Sequence, residues 1–256
     1  MLENIKKEFS TRTLVLIPIA IAINIAVGQL VFVLKLPIYL DSIGTVLVGA
    51  LVGPWAGAVT GGLANLIWGI IPPPLQNTYA VPFFYVAVVI GLMAGFFGKR
   101  GFFEKESPRW LSVLIGAIFF FALALFITTF THLNPDGSMP AAKDLLSASP
   151  VIFIIAILVG AAVGYFLLQN GGYAGLAGLA TGVVAAIISA PTSAILFGGV
   201  TGGGTDLLVA AFRASGAPIM GSVLAQGSVS DPFDKMLSYM VVWIILRSLP
   251  ARFKAR

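Results

Sequence analysis

The chain has 256 residues, of which 58% are hydrophobic and only 10% charged, with a mean hydropathy of +1.00. Charged side chains supply about a quarter of an ordinary soluble domain, so lipid is the natural solvent for most of this one. The absence of cysteine excludes disulfides, thiolate metal sites and thiol nucleophiles. The net charge of +5 is informative through its placement. Lys6, Lys7 and Arg12 precede the first apolar run, Lys99, Arg100, Lys105 and Arg109 share one mid-chain loop, and Arg247, Arg252, Lys254 and Arg256 lie at the end. The positive-inside bias places these three segments on one cytoplasmic face. They flank spans, so nucleic acid is not the expected partner.

Every backbone polar group must be satisfied within lipid, so near-continuous apolar runs imply an all-α polytopic bundle rather than a barrel. The first span is expected over 14–34, as an anchor rather than a cleaved signal. The run 42–71 is too long for one span and divides at Gly53-Pro54 into helices near 42–52 and 55–71. The first of these is short for a bilayer and must be shielded by neighbours. Pro72-Pro73-Pro74 ends the second, 75–81 forms an outer loop, and 82–98 returns to the basic loop. Further spans are expected over 111–130, 151–168, 174–197 and 232–249. Between the last two, 198–230 reads as irregular and glycine-rich, with weakly apolar pieces that are re-entrant or interfacial. The count of about eight spans puts both termini in the cytoplasm of a multi-pass cell-membrane protein forming a single domain over 1–256.

Glycines four apart at Gly49/Gly53, Gly57/Gly61, Gly91/Gly95, Gly160/Gly164 and Gly178/Gly182 let helix backbones approach closely. Chemistry-bearing motifs are few. Thr201-Gly202-Gly203-Gly204-Thr205-Asp206 lacks the Gly-Lys-Ser/Thr ending of a nucleotide loop and reads as a cap over a cavity. His132 is the sole histidine, so no transition-metal site is expected. No serine has an evident histidine partner, and the chain is not expected to be an enzyme. Asp231 and Lys235, four apart, read as a local pair at the start of the last helix.

Polar groups at membrane depth face a bundle interior or a water-filled cavity. Asn24 and Gln29 lie in the first span, and Thr192 and Ser193 in the seventh. Asn65 and Trp68 are three apart in the third span and share one helix face. Together with Asp41, Gln76, Asn77 and Tyr79 in adjoining loops they form a candidate site for a small organic ligand. The other reading of Asn24 and Asn65 is hydrogen bonding between helices. Trp68, Tyr79 and Asp41 suit an aromatic ligand, whether neutral or cationic.

The stretch Leu40-Asp41-Ser42-Ile43-Gly44-Thr45, Gly53-Pro54-Trp55-Ala56-Gly57-Ala58 and Asn65-Leu66-Ile67-Trp68-Gly69 resembles the substrate-binding S components of energy-coupling factor transporters. So do Ser189-Ala190-Pro191, Phe197-Gly198-Gly199-Val200-Thr201-Gly202 and Ser230-Asp231-Pro232-Phe233-Asp234-Lys235. The likeness covers about two-thirds of the chain and rests on glycine, proline and small-residue patterns. It implies a six-helix core that binds a vitamin-like small molecule. It also implies partnership with a transmembrane coupling subunit and two cytoplasmic ATPases, which use the ATP, with no cofactor in the chain itself. The family's Ala-x-x-x-Ala contact with the coupling subunit matches Ala22 and Ala26. An outward ligand pocket would recruit Asp41, Asn65, Trp68, Gln76, Asn77, Tyr79, Thr192, Thr201, Thr205 and Asp206. Relative to six helices, 110–169 would be an inserted hairpin, making the fourth and seventh spans neighbours. The family's cobalt and nickel members use N-terminal histidines, which this chain lacks, favouring an organic substrate. Two other readings are a membrane ligand-sensing module and a stand-alone secondary transporter. Against proton coupling stands the lack of any acid read at mid-helix.

Overall fold

The computed structural model describes residues 2–131, 144, 146, 147 and 149–250. His132, the turn Asn134-Pro135-Asp136-Gly137 and the tail residues Arg252, Lys254 and Arg256 lie outside the described residues. Those described are helical, with no strand among them. The helices are α1 (Leu2–Glu8), α2 (Thr11–Val33), α3 (Ile43–Leu51), α4 (Pro54–Ile70), α5 (Phe84–Lys99), α6 (Arg109–Thr131), α7 (Pro150–Phe166), α8 (Gly172–Phe197), α9 (Asp206–Ala214) and α10 (Ile219–Ser248). A 3₁₀ turn, Thr78–Phe83, leads into α5. Four segments among the described residues are long and apolar enough to cross a membrane: Thr11–Val33, Thr78–Lys99, Arg109–Thr128 and Gly172–Phe197. The chain is on this basis a membrane-embedded helical bundle.

The break at Gly53-Pro54 falls between α3 and α4, as the proline predicts. Proline suits the first turn of a helix, where its missing amide hydrogen costs nothing. Gly53 has φ +151, and a Cβ there would lie 2.3 Å from Glu8 Oε1. Glu8, 4% exposed, accepts from the amides of Trp55 (2.9 Å) and Ala56 (3.1 Å) and pairs with Lys99 at 2.7 Å. One carboxylate thus caps α4 and ties it to α1 and α5. α3 has 9 residues, about 14 Å at 1.5 Å per residue, too short to cross the hydrocarbon alone. Eight of the nine are buried, so neighbouring helices shield it.

The core runs between α3, α5, α8 and α10, around Val46, Ile90, Ala177, Tyr239 and Val242. Spaced glycines mark the tightest approaches: Gly49 and Gly57 meet Gly91 of α5. A Cβ on Gly182 of α8 would lie 2.4 Å from Pro232 Cα of α10. α6 and α7 pack on each other through Gly116 and Gly160, and α7 packs almost solely on α6. α5 adjoins α8, and the Tyr85 hydroxyl donates to Ile188 O at 2.8 Å.

The final helix departs from expectation. α10 begins at Ile219 rather than near Pro232 and has 30 residues. Residues 206–214, expected to be irregular, form the short α9. A proline inside a packed membrane helix is tolerated because neighbours satisfy the freed groups. Here close packing of α8 through Gly178 and Gly182 covers the backbone around Lys235 and Pro232. Asp231 and Lys235 are therefore interior to a helix, not at its start.

Candidate functional site

One end of the bundle carries Glu8, Lys99, Arg109 and the Ser107–Gly172 amide contact of 3.0 Å. A cavity of about 130 Å³ lies at the other end. Its walls are the C-terminal half of α2, the α2–α3 loop, α4, the 3₁₀ turn with the start of α5, α8, the loop before α9, and α10. Gly28 makes room for its largest ring: a Cβ there would lie 2.7 Å from Trp68 Cη2. Trp68, 5% exposed, donates its indole N–H to Gln29 Oε1 at 3.1 Å, and Gln29 donates to Pro74 O at 3.2 Å. This chain of bonds fixes the indole edge, and Trp68 lines the cavity.

Seven of the ten expected ligand-binding residues line the cavity: Asp41, Asn65, Trp68, Asn77, Tyr79, Thr201 and Thr205. Three do not. Gln76 is exposed and donates to Gly69 O at 3.0 Å. The Thr192 hydroxyl is engaged by Tyr85 at 2.6 Å. Asp206 accepts from Thr201 N (2.9 Å), Thr201 Oγ1 (3.0 Å) and Gly202 N (2.7 Å), so its carboxylate shapes the loop rather than facing the cavity. That loop lies on the α2–α3 loop: Lys35 Nζ donates to Gly202 O, and a Cβ on Gly204 would lie 2.1 Å from Lys35 O. Its residues Thr201, Gly203, Gly204 and Thr205 line the cavity.

Asn24 and Asn65, alike in sequence context, differ in use. Asn24, 1% exposed, accepts from Gly44 N at 2.7 Å and donates to Thr45 Oγ1 at 2.8 Å, clamping α2 to α3. Asn65, 6% exposed, lines the cavity.

The floor is a charged cluster that sequence reasoning missed. Lys235, 3% exposed, donates to Asp234 Oδ2 and, at 3.0 Å, to Ser42 Oγ, and lies 3.5 Å from Asp41 Oδ1. Asp234 Oδ1 accepts from Leu40 N at 2.7 Å, holding Leu40 at φ +49, a costly conformation for a residue with a Cβ. Burial pushes the Asp41 carboxyl above the usual carboxylate range, against the pull of Lys235 and with the push of Asp234. The Tyr39 hydroxyl donates to Thr205 Oγ1 at 3.3 Å and accepts from Gln226 at 3.4 Å. Burial, aided by the charge of Asp231, pushes its pKa up, so it stays a neutral phenol. The signal for the cluster is continuity: 219–231 contains no proline and only Gly221 and Gly227 as breakers, so a helix can run through Pro232 rather than start at it.

Among the described residues no group of three ligating side chains has the spacing to hold a metal ion. The site offers instead a flat apolar wall, hydrogen-bonding amides and hydroxyls, and a floor rich in carboxylate, which suits a small organic molecule. No family model, curated protein or solved structure matches the chain.

Proposed function

We propose that this chain is the substrate-binding subunit of an importer of the energy-coupling factor type. It captures a vitamin-like small organic molecule from outside the cell for ATP-driven uptake by partner subunits. The observation that carries the reading is the cavity at one end of the bundle, opposite the end that bears Lys99, Arg100 and Arg109. The positive-inside rule puts that basic end in the cytoplasm, so the cavity faces outward. α2, α3, α4, α5, α8 and α10 serve as the six-helix core, with α6 and α7 as an appended hairpin, giving eight membrane-embedded segments and cytoplasmic termini.

Ala22 and Ala26 are exposed on α2, in one stripe with Val15 (60% exposed), Ile19 and Leu30. Small residues amid an apolar stripe allow a second helix to approach closely, which fits docking of a transmembrane coupling subunit. Two ATPases bound to that subunit would supply the energy. Purification of the tagged chain from its native membrane, with mass spectrometry of whatever accompanies it, tests the reading. Recovery of two ATPases and a membrane partner is expected, and their consistent absence after gentle solubilisation counts against it.

One observation favours a second reading. Asp231, Asp234 and Lys235 are buried inside α10, where the sequence had offered no mid-helix acid. Intramembrane ionisable groups mark ion pathways in stand-alone carriers. Uptake driven by a pH gradient in liposomes containing this chain alone would favour that carrier over the importer subunit.

A further inference from the structure

Around the cavity three carboxyl groups face one ammonium, and one of the three has no close partner. Lys235 is provided for by Asp234, Ser42 and Asp41, and Asp234 uses its second oxygen on Leu40 N. Asp231 is the remainder. It sits one helical turn before Lys235, is 6% exposed and lines the cavity. No hydrogen bond or ion pair within 4.0 Å from the described residues reaches its carboxylate. Three aspartates face one lysine, so the cluster holds more carboxyl groups than cations, and a carboxylate out of water is costly to ionise unless a cation is brought to it.

A second polar group points the same way. Asn65, on α4, is 6% exposed, lines the same space, and its amide has no hydrogen-bond partner among the described residues. The buried polar atoms left without access or partner are elsewhere, at Ser238 and Trp243. Asp231 and Asn65 therefore open on the cavity itself, one seeking a positive charge and the other a donor and an acceptor. Phe32, Trp68, Tyr79 and Phe83 line the same cavity, and aromatic faces attract cations and flat molecules. A volume of about 130 Å³ compares with about 150 Å³ for a cavity that admits benzene. The absence of a metal-spaced triad among the described residues directs the positive charge to an organic group.

We propose that the ligand is a small organic cation of about one flat ring, with its protonated amine or amidinium held by Asp231, its polar substituent bonded by Asn65, and its ring laid against Trp68. This rests on reading the cavity as the substrate site. It adds the chemical class of that substrate and the residue that selects it.

The test uses the full chain, purified in detergent at constant ionic strength, and follows its thermal unfolding with three ring compounds of one shape. Benzamidine is cationic, benzamide neutral and benzoate anionic. Benzamidine is expected to raise the Tm at a concentration at least ten-fold below that needed for benzamide, with no rise from benzoate. Asp231→Asn is expected to remove the difference between benzamidine and benzamide. The comparison on the unaltered chain needs no variant, so it decides the matter even if Asp231→Asn fails to fold. An equal response to benzamidine and benzamide, as expected if Asp231 carries a proton instead, overturns the proposal. So does a preference for benzoate. No partner takes part in the measurement. ATPases recovered without cation preference would overturn this inference alone, and cation preference without ATPases would overturn the importer reading alone.

Discussion

The ammonium of Lys235, in the middle of α10, lies 3.5 Å from the carboxylate of Asp41, two residues before α3. With Asp234 and Ser42 on the same ammonium, this contact joins the last helix to the entrance of the third. It makes the cavity floor a single unit, built from parts of the chain 194 residues apart.

Lys235→Met should therefore be severe. It leaves Asp234 buried without its cation, and breaking a buried pair from one side costs about 3–5 kcal/mol. Adding Asp234→Asn should recover much of that loss, since removing both charges is far milder than removing one. Midpoints of unfolding for the single and double variants in one detergent check this.

Asp41→Asn should behave oppositely. Burial is the largest influence on the Asp41 carboxyl and pushes it above its ordinary value of 3.8. A carboxyl raised on folding holds its proton more tightly in the folded state. Its contribution is present at low pH and is lost as pH rises from 3.8 through the raised value. Removing the charge should thus cost under about 1 kcal/mol at neutral pH and flatten the fall of stability with pH in that window. A loss as large as that of Lys235→Met would show that the Asp41 charge is needed for folding.

Asn24→Leu removes the clamp on Gly44 and Thr45 and strands both groups in the core. The expected cost is about 1–2 kcal/mol. Because Asn24 does not line the cavity, the ligand response of the variant should survive where the protein remains folded. Titration of the surviving fold separates the two effects.

Glu8→Gln keeps the size of the cap on α4 but removes the charge that faces Lys99 and the amides of Trp55 and Ala56. A loss of about 1–2 kcal/mol is expected, read as a lower Tm with unchanged ligand response, since the cap lies at the far end from the cavity.

Several of these relationships were legible in the sequence because local rules enforce them. Proline breaks a helix wherever packing does not compensate, which placed the α3–α4 turn at Gly53-Pro54. The three-residue spacing of Asn65 and Trp68 brought both to the cavity wall. The same proline rule misled at Pro232, where α8 packs close enough through Gly178 and Gly182 for the helix to continue. That error hid Asp231, Asp234 and Lys235 at a supposed helix end. Local spacing could not reveal that Lys235 meets Asp41 and Ser42, because that pairing exists only once α10 lies beside α3. Nor could it separate Asn24, which bonds between helices, from Asn65, which faces empty space.

The most direct test of the central claim compares the unaltered chain with Ala22→Trp/Ala26→Trp, both tagged and purified from the native membrane. Both residues are exposed on α2 and outside the cavity lining, so large rings there should leave folding and ligand capture intact. The importer account predicts that a membrane partner and two ATPases accompany the unaltered chain and are lost from the variant, while the same small molecule is recovered with both. A chain that never brings ATPases with it, or a variant that keeps them undiminished, would contradict the account.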